Sequence, residues 1–102
     1  PAVFITPELR VALTAPKHAA ALKRVSQAWS GHSQSKLDGV RIEFPDGWAL
    51  TRSRPAQQEL AFRFEADNWP SLQQVVWRFC EVLDDLGDQV WMRYTAWTGS
   101  QE

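Results

Sequence analysis

Three runs of alternating apolar and polar residues between Asp38 and Ala66 constrain this chain more than any other feature. In the first, Val40, Ile42 and Phe44 alternate with Arg41 and Glu43. Trp48 and Leu50 alternate with Ala49 and Thr51 in the second, and Leu60, Phe62 and Phe64 with Ala61, Arg63 and Glu65 in the third. Successive side chains of a strand point to opposite faces, so each run predicts a strand with one buried face. The tight turn Pro45-Asp46-Gly47 joins the first two, and a polar loop from Arg52 to Glu59 joins the second and third. An antiparallel sheet can face water on one side, so Arg41, Glu43, Arg63 and Glu65 are expected on a solvated outer face.

The flanks supply the cover. Leu9, Val11 and Leu13 keep the period of two and predict a leading strand. Pro16 suits the first turn of a helix, and Ala21, Leu22, Val25 and Trp29 then share one helical face, with Gly31 placed to end it. Ser30 to Lys36 is polar and predicts a surface loop. After the third run, Asn68 is a candidate cap, Pro70 fits the first turn, and Ser71 with the glutamines that follow it echoes a capping box. The apolar stripe Leu72, Val75, Val76, Phe79, Leu83 and Leu86 then predicts a second helix, which Gly87 is placed to stop. Gln89 to Trp97 is rich in strand-favouring residues and has three placements: a strand at the sheet edge, a segment across the second helix, or a contact with another domain. The expected architecture is α+β in the order β-α-β-β-β-α, a four-stranded antiparallel sheet with two helices on one face.

At 102 residues the chain has room for one core, not two. A net charge of -1 gives no reason to expect nucleic acid or an anionic membrane surface. No apolar run approaches the roughly 20 residues that span a bilayer, and Pro1 to Pro7 lacks the basic start and apolar core of a secretory signal. The single Cys80 excludes an internal disulfide and fits a reducing compartment, so a cytoplasmic location is expected. The six tryptophans are expected to fill core and grooves.

Enzymatic constellations are missing from the sequence. His18 and His32 are expected to be exposed, and Asp84, Asp85 and Asp88 to face solvent at a helix C-terminus without calcium-loop spacing. There is no Gly-rich phosphate loop, HExxH pair or GxSxG elbow. Cys80, flanking an apolar stripe with Trp77, reads as a packed thiol. The candidate site is therefore Arg52, Ser53 and Arg54: two guanidiniums, whose donor forks match phosphate oxygens, with a hydroxyl between them. The same arginines also suit pairing with a carboxylate such as Glu59.

The block Leu37 to Arg52, followed by Leu60 to Asp67, resembles the C-terminal domain of the α-D-phosphohexomutases, most of all the bacterial phosphomannomutase/phosphoglucomutase kind. The DGV, DGW and RFEA segments carry the resemblance in combination, and it extends from about residue 5 to Leu86, with Thr6-Pro7-Glu8 similar to the family's hinge. The resemblance implies a fold like the TATA-binding protein's repeat, with 1–7 as hinge and lead-in, 8–86 as the domain, and 87–102 as an aromatic tail that offers an extra strand. It implies interconversion of hexose 1- and 6-phosphates by a larger enzyme, an isomerase of carbohydrate metabolism. That enzyme's phosphoserine, magnesium site and sugar loop lie in other domains, which would be this chain's partners in cis. This chain would then contact substrate phosphate and need no cofactor of its own. In the family's phosphate loop, an arginine is followed by any residue, serine, asparagine or glycine, and threonine. Arg52 matches the leading arginine, while Arg54, Pro55 and Ala56 replace the serine, amide and hydroxyl donors. Each lost hydrogen bond to a charged group is worth about 1.5–3 kcal/mol. An interaction module that has lost phosphosugar binding, docking through Val90 to Trp97, is the alternative.

Overall fold

The computed structural model describes residues 4–35 and 39–101. Pro1 to Val3 of the lead-in and the Leu37-Asp38 start of the central block lie outside them. Strands β1 (Phe4–Ile5), β2 (Leu9–Ala12), β3 (Gln34–Ser35), β4 (Val40–Phe44), β5 (Gly47–Arg54) and β6 (Glu59–Ala66) form one antiparallel sheet. Its order is β1-β6-β5-β4-β3, with β2 also pairing β6. Helices α1 (His18–Ala28), α2 (Trp69–Glu81) and α3 (Asp84–Ser100) cover one face. The α+β architecture expected from the alternation is present, with two short strands and a third helix added.

β1 and β2 run along β6 as one interrupted strand. Ile5 pairs with Glu65 and Leu9 with Phe62, so Thr6, Pro7 and Glu8 span only two residues of β6. This is a bulge, which bends the strand and re-aims the side chains that follow. Buried Thr6 closes the ladder across it: its N–H donates to Phe64 O at 2.9 Å, and its Oγ1 accepts from Phe64 N at 3.1 Å.

Val40, Ile42, Phe44, Leu60, Phe62 and Phe64 point into the core as the alternation predicts. The second run is inverted. Ala49 and Thr51 are fully buried, whereas Trp48 and Leu50 lie on the outer face. The turn between β4 and β5 holds only Pro45 and Asp46, so Phe44 pairs with Gly47, Ile42 with Ala49 and Val40 with Thr51. Opposed residues share a face, and that register sends Trp48 out beside Glu43 and Glu65. Both α1 and α2 cross β5, and the small side chains there let the helices sit close. Gly47 is needed for proximity, because a Cβ there would collide with Glu65 O of β6. On the outer face Arg41 Nε donates to Glu43 Oε2 at 2.7 Å, and its guanidinium lies 4.4 Å from the Trp48 ring centre, while Trp48 Nε1 donates to Glu65 Oε2 at 3.0 Å.

A one-turn 3-10 segment, Ala15–Lys17, leads into α1, with Pro16 in the turn as expected. The helix ends at Ala28, before Gly31, because Gln34 caps it: Gln34 Nε2 donates to Ser26 O at 2.9 Å and to Trp29 O at 2.7 Å. Those are carbonyls a helix end leaves without partners. Ser30 to Ser35 is therefore more than a surface loop, since Gln34 and Ser35 also pair with β4 as β3. Asn68 caps α2 as anticipated, its side chain accepting from Ser71 N at 2.9 Å.

Gly87 does not stop the second helix. The helix is interrupted after Glu81 and a new one begins at Asp84, whose φ of 50° turns the chain into α3. Gln89 to Trp97 is helical, so no strand is added at the sheet edge. Leu83, Gly87, Val90 and Tyr94, spaced four, three and four apart, form a buried helical stripe against α2 and β2. The acidic cluster consequently begins α3: Asp84 and Asp85 occupy its first turn, where the helix dipole favours them, and Asp84 accepts from Arg24 at 2.7 Å. None of the six tryptophans is buried; the buried rings are Phe44, Phe62, Phe64, Phe79 and Tyr94, with Trp29, Trp91 and Trp97 packed at the margin. No helix among the described residues is long and apolar enough to cross a membrane.

Candidate functional site

Arg52, Ser53 and Arg54 belong to β5 and not to a loop; the connection to β6 is the 3-10 turn Pro55–Gln57 and the left-handed Gln58 at φ 53°. Gln58 pins this turn to the β2–α1 connection, its Oε1 accepting from Ala15 N at 2.8 Å and its carbonyl from Leu13 N at 2.9 Å. The alternation of β5 divides the candidate residues between two faces. Arg52 and Arg54 point outward, and Ser53 points toward the helices.

On the outer face the two arginines meet Glu8, delivered there by the bulge. Arg52 Nη2 lies 3.3 Å from Glu8 Oε2 and Arg54 Nη1 3.4 Å from Oε1. Arg10 of β2 joins them, its Nη2 3.6 Å from Glu8 Oε1. In the strand register Arg10 and Arg52 flank Ala61, whose small side chain is covered to 2% exposure. The carboxylate is thus shared by three guanidiniums. Charge-assisted N–H···O contacts close to about 2.7–2.9 Å at their strongest, so these are loose pairs. Arg10 and Arg52 keep 52% and 37% of their side-chain exposure. The cluster can present several guanidinium donors to a tetrahedral oxyanion. Glu59, the carboxylate suggested by the sequence, stands opposite Arg54 in the register, but the partner the structure gives Arg54 is Glu8.

On the inner face Ser53 Oγ lies 2.7 Å from His18 Nδ1, and His18 Nε2 lies 2.6 Å from Leu13 O. A carbonyl only accepts, so Nε2 carries the ring proton and Nδ1 accepts from the serine hydroxyl in the neutral ring. His18 is only 3% exposed, contrary to the exposure expected from the sequence. It holds the end of β5 to the β2–α1 connection. The 35-residue separation of His18 and Ser53 leaves no local signal for this bond. His32 is exposed as expected, edge-on to Trp29 at 5.0 Å.

Among the described residues no group of three or more His, Cys, Asp or Glu could hold a metal ion. Cys80 is buried, and burial, then the nearby Asp88 carboxylate, pushes its thiol up to about 12. The thiolate is the reactive form, so near pH 8 the native chain holds about three orders of magnitude less of it than a free cysteine. Iodoacetamide should leave the folded protein unmodified and label it on unfolding; fast labelling of the native state would contradict this packing. Val90 and Tyr94 of the proposed docking tail are buried in the chain's own core, so they are not available to a partner.

No family model matches the chain. The phosphomannomutase/phosphoglucomutase of Pseudomonas aeruginosa is 36% identical over 78 residues, which cover 74% of this chain and 17% of that protein. The phosphoglucomutase of Neisseria gonorrhoeae is 36% identical over 55 residues, 54% of this chain and 12% of that protein. A crystal structure of a phosphoglucomutase/phosphomannomutase family protein from Burkholderia thailandensis superposes with a TM-score of 0.66 and 27% identity, over 81% of this chain and 18% of that one. The chain spans less than a fifth of the length of these relatives. Sequence and fold return the family to which the DGV, DGW and RFEA segments pointed.

Proposed function

We propose a role that starts from kinship: the chain is a homologue of the C-terminal domain of the phosphomannomutase/phosphoglucomutases. Its role is to contact the substrate's phosphate within a larger enzyme that interconverts hexose 1- and 6-phosphates. The phosphoserine, magnesium and sugar-recognition elements of such an enzyme belong to other domains, so this domain does not turn over substrate by itself. The observation that carries the proposal is the convergence of Arg52 and Arg54 at one end of the sheet. Arg52 is the residue the family motif also provides. Ser53 drops out of the contact set by its orientation, being engaged with His18.

Titration of the chain with glucose 1-phosphate or mannose 6-phosphate, followed by amide chemical shifts, tests this. Shifts should centre on residues 8–10 and 52–54 and saturate weakly, because the other domains' contacts are missing. Arg52→Ala should weaken binding about tenfold or more, the value of a charged hydrogen bond. Shifts scattered elsewhere, or none, would remove the phosphate role and leave a homologous domain that has lost it.

A further inference from the structure

We infer that Glu8 is an internal occupant of the phosphate position, and that Arg10 is a third guanidinium of that site. This deepens the proposed function and rests on it. A carboxylate and a phosphate monoester offer a guanidinium the same oxygen pair, so the group among Arg10, Arg52 and Arg54 marks where an oxyanion sits. Both Glu8 oxygens are in use there, one by Arg52 and the other by Arg10 and Arg54.

Three features make Glu8 a displaceable occupant and not a fixed brace. Its contacts, at 3.3 to 3.6 Å, are long for charged pairs. The side chains of Arg10 and Arg52 are partly exposed, and ion pairs at such positions are weak and screened by salt. The Glu8 side chain is 25% exposed and lies in the bulge, so it has room to rotate outward while Thr6 and Leu9 keep their places in the sheet. A phosphate dianion carries more charge and more acceptor oxygens than the carboxylate it displaces. Arg10 enters because Ala61 leaves space between its stem and that of Arg52. The family loop's lost hydroxyl and amide donors are thereby replaced by arginines on both flanking strands.

The test is a glucose 1-phosphate titration of the wild-type chain, Glu8→Gln and Arg10→Ala, with circular dichroism melts to verify folding. Glu8→Gln should bind about two- to fivefold more tightly, having lost its competitor. Arg10→Ala should bind several-fold more weakly. If the wild type binds at residues 52–54 but Glu8→Gln binds equally or less well, Glu8 braces the arginines and the inference is overturned, while the phosphate site stands. Binding by Glu8→Gln alone would support the inference most strongly. No binding by either protein would overturn both.

Discussion

Replacing Phe79 by alanine is expected to cost this domain about 3–5 kcal/mol, the usual range for a buried aromatic ring. Phe79 lies on α2 and is fully buried. Its ring meets Phe64 edge-on at 5.3 Å and Phe62 at 6.1 Å, so one side chain joins the helix to two inward residues of β6. That strand is an interior member of the sheet, hydrogen-bonded to β1 and β2 on one side and β5 on the other. It cannot shift to fill the hole without breaking both ladders, and the cavity term stays near its full value. Small domains hold about 5–15 kcal/mol in total, so about a fifth or more of the stability should disappear. Urea denaturation followed by circular dichroism measures it, with Phe79→Leu losing less. A loss below about 1 kcal/mol for alanine would mean that the helix–sheet contact is not what holds the core.

Gly87→Ala should also destabilise, by about 3 kcal/mol, against the direction that helix propensity gives. Alanine for glycine inside a helix is ordinarily worth about 1 kcal/mol of gain. Here a Cβ would collide with the Cys80 carbonyl of α2, which is backbone and cannot rotate away. The added methyl must push α3 off α2, and with it Val90 and Tyr94, which are buried only while the helices stay close. A gain in melting temperature for this variant would show that the crossing is looser than the structure has it.

How much of this was legible from the residues differs from element to element. In β4 and β6 the large apolar side chains all face inward, so period and burial agree. In β5 the bulky residues Trp48 and Leu50 suggest the wrong face, because the two-residue turn, not apolar size, sets the register. Gln89 to Trp97 has strand-favouring composition, but the 83, 87, 90, 94 spacing buries one side of a helix, and packing outweighs local preference. Of the candidate site, Arg52 and Arg54 were named from their chemistry. Glu8 and Arg10, more than forty positions away, were not.

The sequence by itself determined the kind of fold, the three central strands, the cap at Asn68 and the family, because each is written in local periodicity or in contiguous motifs. Only the tertiary structure decided which face of β5 is buried, that the tail is a helix, that His18 and Ser53 join inside, and that three arginines gather on one carboxylate. For the last two the physical reason is distance along the chain: His18 and Ser53 lie 35 residues apart and Glu8 and Arg54 46, and strand register with helix packing brings them together. For the first two it is that a two-residue turn fixes the face of β5 and packing against α2 fixes the tail, and residue composition expresses neither.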